Sequence, residues 1–271
     1  MAPPRLKLSF GDTLSESFRF FFGNLRPFFH LVTIPWILSL VLRIAGSAVD
    51  EDSLLTVLVE KLLDIVPTVM FLVAWMRFTL VGPHKIGRLP GLGWSARETA
   101  FLVHLLKVGG ITFLLLGAFV MTIGTIDPGM LGGDAAIDPD LARREALAAP
   151  FGTGFMISAL LALRVSFGLA ATAVDVPFAP RQSWVFSRGN GWVIVGVLFV
   201  IFFTGAIATT IGALLPLGLV RGLGAGSAAA IVAWTAAILV SYAGAAVAAT
   251  AQAIIFRRLT GWREDTPLTT P

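Results

Sequence analysis

Residues 192–214 read WVIVGVLFVIFFTGAIATTIGAL, and no charged residue interrupts them. A helix crossing the hydrocarbon of a bilayer needs about 20 mostly apolar residues, because each residue advances it only ~1.5 Å. This stretch meets that length by itself. Five others qualify: Pro27 to Val49, Leu54 to Val81, Thr99 to Ile123, Phe151 to Val174 and Ala228 to Phe256. The spacing therefore predicts an all-α membrane protein of six spans, numbered one to six in chain order, with residues 1–26 as a cytoplasmic amphipathic N-terminus and 257–271 as a cytoplasmic tail.

The composition of the 271 residues agrees. Hydrophobic residues make up 56%, charged residues 13%, and the mean hydropathy is +0.85. Soluble domains carry about 25% charged residues, so this chain lacks the polar surface to stay in water. Disorder is excluded for the same reason. The formal net charge is only +4, which gives no reason to invoke nucleic acid, and the absence of cysteine removes disulfides, thiolate metal sites and thiol nucleophiles together.

Orientation follows from Lys and Arg, which collect on the cytoplasmic side of short loops. With the N-terminus inside, Arg5, Lys7, Arg19, Arg26, Arg77, Lys85, Arg88, Arg97, Lys107, Arg181, Arg188, Arg257, Arg258 and Arg263 are cytoplasmic, which is 14 of 20. The expected location is a bacterial inner membrane, with both termini cytoplasmic. The opening residues lack the short apolar core and cleavage site of a signal peptide, so the first span should act as the insertion signal.

A short motif recurs. Ser17-Phe-Arg-Phe-Phe-Phe-Gly-Asn24 precedes span one, and Ser183-Trp-Val-Phe-Ser-Arg-Gly-Asn190 precedes span five. A looser version lies at residues 95–107. Leu14, Phe18, Phe21 and Phe22 recur at helical spacing and would sink into the acyl boundary. The expected architecture is three membrane hairpins, each preceded by a short interfacial helix, over residues 12–24, about 95–107 and 178–190.

Arg164-Val-Ser-Phe-Gly-Leu, then Val174-Asp175, Ser183-Trp184, Arg188-Gly189-Asn190 and Trp192, resembles a group of bacterial inner-membrane proteins of the YciC type and the membrane domain attached to some glycerophosphodiester phosphodiesterases. The likeness covers the second half of the chain and Gly11 to Pro27. Alanine at 170 or 171 stands where such spans carry proline. The resemblance implies a six-helix membrane domain and no chemistry, and the phosphodiesterase domain has no counterpart here.

Five residues are candidate polar or lipid contacts: Arg164, Asp175, Arg77, Arg188 and Trp184. Arg164 lies near the middle of its span, where a charge costs a few kcal/mol and should face the bundle interior or a hydrated cavity. It either meets an anion or a lipid headgroup, or snorkels to the boundary; a snorkelling Arg would be replaceable by Lys. Asp175, about 16 Å further along a straight helix, would pair with Arg77, Arg181 or Arg188. Glu60 and Asp64 read as a solvated first turn of span two. His30, His84 and His104 lack ligand spacing, so neither a metal nor a cofactor is expected, and no catalytic group stands out. Small residues in spans five and six, Gly205, Ala206, Ala208, Gly212, Gly244, Ala245, Ala248, Ala249 and Ala253, suit close helix packing within the chain or against a partner. The residues thus point to a non-enzymatic membrane protein, a scaffold, assembly factor or accessory subunit. The alternative is a small transporter or lipid-handling protein using Arg164 and Asp175.

Overall fold

The computed structural model describes residues 7–47, 54–83, 93–124, 156–158, 160–222 and 226–264. The acidic segments 50–53 and 127–150, the basic stretch 84–92 and the C-terminal residues 265–271 lie outside this set. Among the described residues every regular element is a helix. These are α1 (Phe10–Gly23), α2 (Leu25–Ser47), α3 (Leu54–Val81), α4 (Ala96–Gly124), α5 (160–166), α6 (Gly168–Ala173), α7 (Pro180–Phe186), α8 (Gly191–Gly222) and α9 (Gly226–Thr260). Six stretches are long and apolar enough to cross a membrane: Leu25–Gly46, Val59–Val81, Ala96–Leu115, Met156–Ala173, Gly191–Pro216 and Ala230–Thr260. The chain is an all-helical, multi-pass membrane protein.

Local chemistry sets the helix ends. Ser9 caps α1 by accepting the Asp12 N–H. Asn24 closes it, donating its backbone N–H to Phe21 O and its side-chain amide to Phe20 O. The two copies of the short motif diverge here. Residues 17–23 stay helical, whereas residues 183–186 end in a turn in which Gly189 takes φ +83°. The third segment, 95–107, forms no separate helix. It is the opening half of the continuous α4, whose start is fixed by Glu98 accepting the backbone N–H and the hydroxyl of Ser95 while Ser95 Oγ accepts the Arg97 N–H.

The core sits where α1, α2, α3 and α9 meet. Trp75 is fully buried among Phe21, Phe28, Phe71 and Phe78, and its indole N–H reaches Ala246 O and Thr250 Oγ1, both at 2.9 Å. The α1 face that packs on the bundle is Thr13, Ser17 and Phe21. Phe21 is therefore core rather than interface, while Phe22 is exposed and Leu14 and Phe18 are half-buried.

Helices α8 and α9 pack most extensively, running in opposite directions so that Gly205 meets Gly244 and Gly212 meets Val240. A Cβ on Gly244 would stand 3.5 Å from Gly205 Cα. These three glycines make close contacts within the chain.

Candidate functional site

The five candidate residues fall into two separate clusters. In the first, Asp175 ends α6 in the left-handed conformation, φ 60°. The helix closes there in a Schellman turn: Val176 N–H donates to Ala171 O at 3.0 Å and Asp175 N–H to Thr172 O at 3.2 Å. Aspartate tolerates this conformation better than most side chains, and it gains two cations. Arg97 from α4 grips the carboxylate through Nε at 2.8 Å and Nη2 at 2.6 Å. Arg77 from α3 lies 3.5 Å away and also donates to Ala173 O, at 3.2 Å.

Three elements are thereby joined at one helix end. Of the partners expected for Asp175, Arg77 is present, but Arg181 and Arg188 are exposed on the far segment and do not reach it. The main partner, Arg97, was not anticipated. Its signal in the sequence was its place in the first turn of a helix opened by Ser95 and Glu98.

The second cluster surrounds Arg164. The helix from Met156 breaks at Phe167, which adopts a turn between α5 and α6. The Arg164 guanidinium lies level with the first residue of α8: a Cβ on Gly191 would come within 2.9 Å of its Nε and 3.2 Å of its Cζ. Its Cζ stacks 3.6 Å from the Trp184 ring centroid, and Nε donates to Ser187 Oγ at 3.0 Å. So Arg164 is mid-span only in sequence, and its head is held at the turn between α7 and α8. A planar, stacked, hydrogen-bonded guanidinium is not equivalent to a flexible ammonium, so Lys is an unequal substitute here. Arg188 is exposed in the same turn.

A cleft of about 270 Å³ opens beside Arg164. Leu160, Leu161, Trp192 and Val195 form its walls, with Gly189 and Gly191 at the base. Trp184 and Trp192 are both exposed, Trp192 by 82%, as suits indoles at a membrane boundary.

Further polar contacts tie the spans. Glu60, with its side chain only 10% exposed, binds Arg43 of α2 at 3.0 and 3.1 Å. Asp64 accepts from Ser39 Oγ, which also contacts the Tyr242 hydroxyl at 2.9 Å. Neither carboxylate is a solvated first-turn residue; both face α2. Of the two described histidines, His30 is exposed, and His104 is buried with Nδ1 3.3 Å from Thr172 Oγ1; His84 lies outside the described residues. Among the described residues no three His, Cys, Asp or Glu side chains converge on a common point.

The fold and these clusters define a class, the helical multi-pass membrane protein whose charged groups bind helix to helix. Comparison with protein-family models, curated proteins and solved structures gave no match.

Proposed function

We propose that the chain is a non-enzymatic integral protein of a bacterial inner membrane, serving as a scaffold, assembly factor or accessory subunit of a larger complex. The observation that supports this reading is where its charges go. Arg97 and Arg77 close on Asp175, Arg43 on Glu60, and Arg257 and Arg258 on Glu16. Each pair joins separate helices, so the ionic groups serve architecture. The transporter alternative places Arg164, Arg77 and Asp175 in one cavity, and their separation into two clusters weighs against it. On this reading the spans pair as hairpins, and α1 and α7 lie along the cytoplasmic interface.

Mild extraction from the native membrane should bring down a defined protein with the chain, in fixed ratio. Recovery of the chain strictly alone, at native abundance, would remove the scaffold reading. Orientation is tested independently. The chain has no cysteine, so single-cysteine labelling has no background. A cysteine at Ala135 should react with an impermeant reagent in intact cells, and one at Gly91 should react only after lysis. The reverse pattern overturns the topology.

A further inference from the structure

The geometry points to a binding site for a phosphate anion, carried by a lipid headgroup or free in solution, in the cleft between Arg164 and the turn that opens α8. The reading goes beyond the scaffold role and does not depend on which partner the chain has.

Arg164 spends one of its five N–H donors, at Nε, on Ser187. Its two terminal amino groups have no hydrogen-bond partner among the described residues, and Arg164 makes no ion pair there. Arg188 is exposed in the same turn as Ser187, likewise without a carboxylate among the described residues. Arg43, Arg77, Arg97, Arg257 and Arg258 each meet a carboxylate, whereas among the described residues the stacked Arg164 meets none, which leaves its terminal amino groups for an anion. A charge held in a partly dehydrated place without a counter-charge is costly, and an anion offsets that cost.

The shape fits the same ligand. The Trp184 ring holds the guanidinium plane by stacking, and Ser187 fixes its rotation, so the free N–H pairs are presented as a planar fork, the arrangement that grips phosphate through two hydrogen bonds. Gly191 is the residue that permits this, since any side chain there would strike the guanidinium. The cleft of about 270 Å³ is just smaller than pockets for drug-sized ligands, which run from about 300 to 1,000 Å³. It takes a phosphate and its first ester carbons. Beyond the phosphate the walls are Leu160, Leu161 and Val195, apolar surface on which an acyl chain can lie. Trp192 stands exposed at the mouth, at the depth where indoles meet headgroups.

Native mass spectrometry of the purified chain tests the site, with phosphatidylglycerol, diacylglycerol or inorganic phosphate added to delipidated protein. The wild type should retain one phosphatidylglycerol, and Arg164→Leu should weaken retention about tenfold or more, the loss expected for charge-assisted hydrogen bonds. Arg164→Lys should fall between the two. Gly191→Ala keeps every charge and displaces the guanidinium, so it should weaken retention. That variant keeps the test valid if Arg164→Leu fails to fold.

Retention of phosphatidylglycerol that millimolar phosphate does not displace assigns the site to lipid. Protection by phosphate with no lipid retained assigns it to a soluble anion. Equal retention by the wild type, Arg164→Leu and Gly191→Ala overturns the proposal, and so does equal retention of phosphatidylglycerol and diacylglycerol, which has no phosphate.

Discussion

Trp75→Ala should be the most damaging single substitution in the chain, lowering stability by about 3 kcal/mol or more. In lipid the loss is not one of transfer from water, because a span faces hydrocarbon whether or not it is packed. It is a loss of contacts. Trp75 is fully buried and lies edge-on to Phe20, Phe21 and Phe28, stacked on Phe71 and tilted against Phe78. Removing the indole leaves rings from three helices lining a void, each without dispersion partners on one side.

The indole N–H also bridges α3 to Ala246 and Thr250 of α9. Trp75→Phe separates the two contributions. It refills most of the void and loses the bridge, but Thr250 keeps its own bond to Ala246 O at 2.8 Å, so the expected cost is about 1 kcal/mol. Reversible unfolding of the three forms in one detergent measures the difference. Near-equal stability of Trp75→Ala and wild type would show that the aromatic cluster does not hold α1, α2 and α3 on α9.

The second large effect lies at Gly168, the first residue of α6. A Cβ there would stand 2.5 Å from Ser183 Oγ and 3.0 Å from a Phe178 ring carbon. Gly168→Ala therefore forces α7 away from α6 and should cost about 1–3 kcal/mol, the range for overpacking a filled site. The Ser183 hydroxyl that blocks it is fully buried and without a hydrogen-bond partner among the described residues.

Ser183→Ala should consequently be neutral or stabilising, since it removes an unsatisfied polar atom and no bond. It also clears the nearest obstacle, so Gly168→Ala should cost clearly less in the Ser183→Ala background. The non-additivity is the signature to look for in thermal denaturation of the four forms. Strict additivity would mean that the two residues do not press on each other.

The spans were legible in the sequence because hydropathy needs only consecutive residues. Gly191–Pro216 and Ala230–Thr260 differ from the expected limits by a few positions. The break at Phe167 was not legible: Arg164-Val-Ser-Phe-Gly carries no proline, and a turn buried among protein leaves the apolar run unbroken. Pairing across helices escaped for a different reason. Arg97 and Asp175 are 78 residues apart, as Ser39 and Tyr242 are 203 apart, and no periodicity connects them.

The shared letters of 17–24 and 183–190 concealed different backbones. Phe21 packs into the core, whereas its counterpart Ser187 receives Arg164. At the third copy, Ser95 and Glu98 formed a helix-start signal that the aromatic pattern drew attention away from. Of the candidate site, the residue types were readable, but their grouping was not: one set of five proved to be two, each completed by a residue, Arg97 or Ser187, that had not been singled out.

The N-terminal segment is fastened by residues synthesised long after it. Leu8 N–H donates to Asn190 Oδ1 at 2.8 Å, in a buried bond spanning 182 residues, and Glu16 and Thr13 are held by Arg258. At a synthesis rate of about 5–20 residues per second, the wait for Asn190 alone is roughly 10–40 s. Throughout that interval α1 has no Asn190, no α8 and no α9 to pack against. Until they arrive, only the α2 and α3 rings that meet Phe20 and Phe21 can hold α1. The docking of α1 is thus begun by the first spans and completed by the last, and its completion is a timer that registers the arrival of the final helix.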